Sequence, residues 1–220
     1  MIRGLLIFIL IFSLGLGLTE LKAQERTVTG SVALKRFSEP SSSGRIGLRY
    51  GGIKQKQQTS SPNTPILLWV ESDIPTNADD TPKKLDQENL QFQPQLVIVR
   101  QGGDVRILNS DPVYHNVFSL SDTKSFDVGR RPKGEYLDVT FIKTGEVDVF
   151  CDIHSSMSAT ILVLPNTAAR WKIISENELF SLSVTDNDVA VHVYAPGFEE
   201  KMFTLTKAKQ QELGQITLTQ

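Results

Sequence analysis

Short apolar stretches recur along the chain, each roughly four to eight residues long and bounded by Gly, Pro, Asn or Asp. They are TVTGSVAL (27–34), PILLWVE (65–71), LVIVRQ (96–101), DVRILN (104–109), NVFSL (116–120), YLDVTFIK (136–143), VDVFC (147–151) and ATILVL (159–164). All are β-branched or aromatic in character, and helical periodicity is hard to find. Eight strands at this spacing predict a sandwich or a barrel. The style continues on a smaller scale in RWKIIS, LFSLSV, VAVHVY, KMFTLT and QITLT, separated by Asn and Asp and by an APGF turn. Pro165 and Asn166 mark the joint, which divides the chain into a first domain over 27–165 and a compact C-terminal β module over 166–220.

Two stretches break the pattern. Residues 36–63 are rich in Ser, Gly and Gln, and residues 71–87 (ESDIPTNADDTPKKLDQ) are polar with two prolines. Neither can bury a core face of its own, so both read as surface insertions in the first domain.

The N-terminus has a different logic. Arg3, an apolar run from Gly4 to Leu18 and small Ala23 before Gln24 make a secretory signal peptide over 1–23. The run is shorter than the roughly 20 residues that span a bilayer, so cleavage is expected rather than anchoring. The mature protein is then periplasmic or secreted, with no stable membrane span. A formal net charge of −2 and the lack of a basic patch with interleaved aromatics or of a Gly-rich phosphate loop argue against nucleic acid.

Export makes the cysteine count informative. Oxidising compartments favour cysteines in pairs, yet this chain has one, Cys151. It is a buried inert thiol, an intermolecular crosslink or a metal ligand. Its neighbours favour the last. In FCDIHSSM (150–157) a strand ends at Cys151, and the turn that follows carries His154 and Met157 at three-residue spacing. Thiolate, imidazole and thioether together suit copper. A fourth donor is His115, where the turn Asn109-Ser110-Asp111-Pro112 gives way to a strand. The third histidine, His192, alternates with Val191 and Val193 and reads as an ordinary residue on a wet face.

Two His, one Cys and a weak axial Met form a mononuclear type 1 site. A binuclear copper centre needs a second thiolate, structural zinc prefers Cys and His sets without Met, and a Cys-His hydrolase has no use for the Met.

Three segments then resemble the cupredoxins, in particular the plastocyanin and amicyanin branch and the exported proteins labelled methylamine utilization protein. They are QFQPQLVIVRQGGDVRILNSDPVYHNV, VTFIKTGEVDVFCDIHSSM and SATILV, covering about residues 88–165. The resemblance implies a cupredoxin-like Greek-key β-sandwich, followed by a small module that looks like the transthyretin or carboxypeptidase-regulatory type. It implies one copper ion held by His115, Cys151, His154 and Met157, with Asn116 tying the two ligand loops together and His154 reaching the surface through an apolar patch. The expected function is single-electron transfer between a redox donor and an acceptor in the cell envelope, without enzymatic activity. Copper binding or sensing without fast electron transfer, and a purely structural envelope module, are the alternatives.

Overall fold

The computed structural model describes residues 26–37, 64–77 and 80–220. The expected signal peptide and all of the first insertion from residue 38 onward lie outside these. Among the described residues the structure is all β, built as two sandwiches.

The first sandwich takes its strands from one continuous part of the chain. One sheet contains β5 (Leu96–Arg100), β7 (His115–Leu120), β8 (Ser125–Arg131), β10 (Gly145–Cys151) and β11 (Ser158–Leu164), in the order β5-β11-β10-β7-β8. The other contains β3 (Lys83–Glu88), β4 (Gln91–Gln93), β6 (Asp104–Asn109) and β9 (Tyr136–Thr140), in the order β4-β3-β6-β9. Period-two alternation turns Val105 and Ile107, Val147 and Val149, and Ile161 and Val163 into a shared core with Leu85, Phe92 and Phe141.

The second sandwich closes around both ends of the described chain. β1 (Arg26–Lys35) lies between β13 (Leu179–Val184), antiparallel, and β16 (Gln210–Thr219), parallel. β2 (Ile66–Ser72) lies between β12 (Ala168–Ile174) and β14 (Asp188–Tyr194), with β15 (Lys201–Thr204) at the edge. The strands expected at 27–34 and 65–71 therefore form where expected but belong to the C-terminal sandwich, not to the first domain. Val28, Val32 and Leu34 pack with Ile66, Leu68 and Val70 against Phe180, Leu182, Val191 and Leu218. Gly30 is needed at the centre: a Cβ there would come within 2.9 Å of the Gly214 carbonyl and 3.0 Å of the Phe180 ring.

The second insertion is also not all loop. Its last residues form β3, which pairs parallel with β6. Only Leu85 there is apolar and buried, so hydropathy misses the strand. Asp86 and Gln87 are buried because they are bonded: Ser110 Oγ donates to Asp86 at 2.9 Å, and Gln87 Nε2 donates to the Leu108 carbonyl at 3.0 Å.

Four strands are buried on both faces, and this joins the sandwiches. In β5, Val97 and Val99 face their own core while Leu96 and Ile98 face the other sandwich; in β11, Ile161 and Val163 do the first and Leu162 and Leu164 the second. From β2 and β14 come Leu67, Trp69 and Tyr194. Arg100 donates to the Ala168 and Ala169 carbonyls, each at 3.1 Å, and its guanidinium lies 4.6 Å over the Trp171 ring. His192 does sit opposite Val191 and Val193, but that face is not wet. Its ring stacks on Trp69 at 3.6 Å, its two nitrogens meet Glu200 and Glu71, and its side chain is 13% exposed.

At the seam Tyr194 donates to Glu146 Oε2 at 2.7 Å. Burial pushes the Glu146 carboxyl up, and neighbouring Asp148 adds to this against the Tyr194 hydrogen bond; burial pushes Asp148 up too. A carboxyl raised in the folded state contributes stability that is fully present below its unfolded value, 4.5 for Glu146, and is lost as pH rises through the raised value. Glu146→Gln keeps an acceptor for Tyr194 and removes the ionisation. It should match the parent protein near pH 4 and exceed it in stability at pH 7. Urea denaturation at the two pH values measures this, and a Gln variant less stable at pH 7 would refute the burial argument.

Candidate metal centre

β7 and β10 are antiparallel neighbours, and Cys151 pairs with Val117. Inward-facing positions at the ends of these strands are therefore His115, the first residue of β7, and Cys151, the last of β10. The segment after Cys151 folds back tightly: Met157 N donates to the His154 carbonyl at 2.9 Å, and Cys151 N donates to the Met157 carbonyl at 3.4 Å. This loop brings His154 over the strand ends. His115 Nδ1 and His154 Nδ1 stand 3.1 Å apart, with Cys151 Sγ 3.6 Å from the first and 3.8 Å from the second.

These three residues form a group able to hold a metal ion. An ion bonded to nitrogen at about 2.0 Å and sulfur at about 2.3 Å separates its donors by roughly 3–4 Å, so the spacing fits. Met157 is 2% exposed and packs in the same core as Cys151. His115 is wholly enclosed, Cys151 is 4% exposed and His154 is half-buried. Ser155 and Ser156 beside it are exposed. His192 lies in the other sandwich, away from the group.

The two segments that carry these donors are laced together at Asn116. Asp152 N donates to the Asn116 carbonyl at 3.2 Å, and Asn116 Nδ2 reaches Asp152 Oδ2 at 3.4 Å.

Behind His115 lies a residue that sequence reading treats only as part of a turn. Asp111 is 5% exposed, and its Oδ2 is 2.8 Å from His115 Nε2. Its carboxylate also accepts the N–H groups of Asn89 (2.7 Å, at Oδ1) and Leu90 (3.0 Å, at Oδ2). Burial alone would push Asp111 up, but the Leu90 N–H, His115 and the Asn89 N–H together hold it below the usual carboxylate range. Asn89 and Leu90 form the two-residue turn between β3 and β4 with φ of 55° and 57°, the doubly left-handed conformation of a tight hairpin. That conformation aims two successive N–H groups at one anion. The spacing of Asp111 four residues before His115 was the available sequence signal.

No family model matches the chain, and no curated protein matches it. Similar solved structures are cupredoxin folds. They include the copper-containing nitrite reductase of Thermus scotoductus SA-01, at 22% identity and TM-score 0.37 over 41% of this chain. A point mutant of amicyanin in its reduced state is matched at 20% and 0.36 over 44% of this chain and 97% of its own, and a purple cupredoxin from Nitrosopumilus maritimus at 18% and 0.34 over 37% and 98%. The chain spans 25% of the length of the nitrite reductase chain.

Asn tolerates the left-handed region, but Leu90 does not do so freely, at a cost of about 1–2 kcal/mol. Glycine there would relieve the turn at some cost in unfolded-state entropy. Leu90→Gly is expected to stabilise the protein by about 0.5 kcal/mol, measured by denaturant unfolding; a loss of about 1 kcal/mol or more would mean that the half-exposed Leu90 side chain stabilises more than its backbone strains.

Proposed function

We propose that the protein is an exported type 1 copper protein of the amicyanin-like kind, carrying single electrons between a redox donor and an acceptor in the cell envelope. The convergence of His115 Nδ1, Cys151 Sγ and His154 Nδ1 within 3.8 Å carries this reading. Thiolate and imidazole donors accept both copper oxidation states, and buried Met157 in the same loop suits a weak axial sulfur. Bound copper supplies a one-electron couple.

The protein's own residues define the rest. The buried ends of β7 and β10 fix His115 and Cys151, so the donors need to move little when the charge of the ion changes. His154 is the ligand nearest solvent. The loops that carry His115 and His154 present Val113, Tyr114 and Ile153, each between 40% and 59% exposed. This apolar rim supports transient docking of a redox protein over His154, and neither nucleic acid nor membrane is needed. No catalytic residue is assigned, and the protein is proposed to be a carrier rather than an enzyme. The N-terminal leader supports a periplasmic or secreted location.

Adding Cu(II) to the purified protein should produce a strong thiolate-to-copper charge-transfer band in the visible. Cys151→Ser should abolish the band while far-UV circular dichroism stays that of a folded β protein. A band that survives in the Ser variant would overturn the ligand assignment.

Met157→Leu should keep the band and raise the reduction potential, because losing the axial sulfur disfavours Cu(II) relative to Cu(I). Protein-film voltammetry reads the shift, and an unchanged potential would exclude Met157 as an axial ligand.

A further inference from the structure

The geometry around His115 carries a second assignment, which rests on the copper reading. Three facts bear on it. Asp111 is buried, its Oδ2 lies 2.8 Å from His115 Nε2, and both its oxygens are held by the Asn89 and Leu90 N–H groups. Among the described residues no Lys or Arg pairs with it; its one ion-pair partner there is His115. The opposite ring nitrogen, Nδ1, is the one that faces Cys151 and His154.

A carboxylate is acceptor-only, so the nitrogen facing it must carry the proton. A neutral imidazole has one N–H, and with that proton on Nε2 the Nδ1 lone pair is left free. Asp111 thereby selects the tautomer that can bind a metal. It does so without neutralising its own charge, since backbone N–H groups stabilise an anion but do not cancel it. A full negative charge behind the ring of a ligand raises the basicity of that ligand. It also favours the more highly charged ion.

We propose that Asp111 is a positioning residue for the metal: it locks His115 as an Nδ1 donor and biases the site toward Cu(II), lowering the potential at which the protein gives up its electron. His115 becomes the charge-backed, fixed ligand. His154, with no carboxylate behind it among the described residues, is the neutral and solvent-facing one.

The carboxylate cannot be replaced by a fully equivalent neutral group, because Asn offers an N–H₂ to one of the two turn N–H groups. A metal-free measurement therefore comes first. In the copper-free parent protein, nitrogen-15 NMR should show a proton on Nε2 of His115 and an unprotonated Nδ1. A proton on Nδ1 would overturn the proposal whether or not copper binds.

The second measurement uses Asp111→Asn loaded with copper beside the loaded parent. The charge-transfer band should persist in both, while the preference for Cu(II) over Cu(I) falls about tenfold, within the range for losing an outer partner of a metal ligand. For a one-electron couple this is an upward shift of about 59 mV. A parent protein without the band sinks the copper reading, and the tautomer still decides whether Asp111 orients His115. A variant with the band and an unchanged potential leaves copper in place and refutes the role of Asp111. If the variant is less stable by thermal unfolding yet keeps its potential, Asp111 is structural only, and the proposal fails.

Discussion

Three lone-pair donors within 3.8 Å of one another are a source of repulsion unless a cation or a shared proton stands between them. Everything around His115, Cys151 and His154 has to hold that crowding in place. Two of the donors are set by the antiparallel ladder of β7 and β10, which cannot relax without breaking hydrogen bonds deep in the first sandwich. The third rides on a loop closed by its own backbone bonds from Met157. The rigid pair sits inside and the adjustable donor outside, an order that follows from where the strands end.

The same crowding explains why polar groups are buried behind the site. Asn109 is wholly enclosed: its Nδ2 donates to the Val113 and Arg131 carbonyls at 2.8 Å, and its Oδ1 accepts the Asp111 N–H at 2.9 Å. It thus fixes the backbone from which Asp111 reaches His115. A buried amide with its partners satisfied costs little and specifies one geometry. The run from the exposed Asn89-Leu90 turn through buried Asp111 to His115 is a bonded polar backing to the site.

The strands were legible because period-two alternation is a strong local signal, and the candidate donors stood out because Cys151, His154 and Met157 carry chemistry at fixed spacing. What was not legible is partnership. Nothing in TVTGSVAL says that its neighbours will be β13 and β16, since Val28, Val32 and Leu34 would fill either core. KKLDQE hid as a loop because Asp86 and Gln87 are buried through hydrogen bonds, which hydropathy scores as exposure. SFDVGRR, which forms β8, hid for the opposite reason: as an edge strand it buries only Val128. His192 was read as wet because alternation gives a face but not what covers it. Asp111 looked like turn chemistry, and it is that as well.

Double-sided burial has a consequence for the site. β10 pairs Glu146 with Leu162 near its start and Phe150 with Ser158 near its end. The second sandwich meets the first at the Glu146 and Leu162 end, through Tyr194 and the apolar seam, whereas Cys151 closes the other end. The appended sandwich thus removes from water the outer faces of β5 and β11, which carry Leu96, Ile98, Leu162 and Leu164 and would otherwise be a sticky surface. It leaves open the end where His154 and the apolar rim lie. On the proposed carrier reading, covering the other apolar faces favours recognition at one place, because each exposed patch would compete with the rim for partners. The N-terminal strands strengthen this arrangement: β1 and β2 are threaded into the second sandwich before the first begins, so both ends of the first sandwich are tied to its cover.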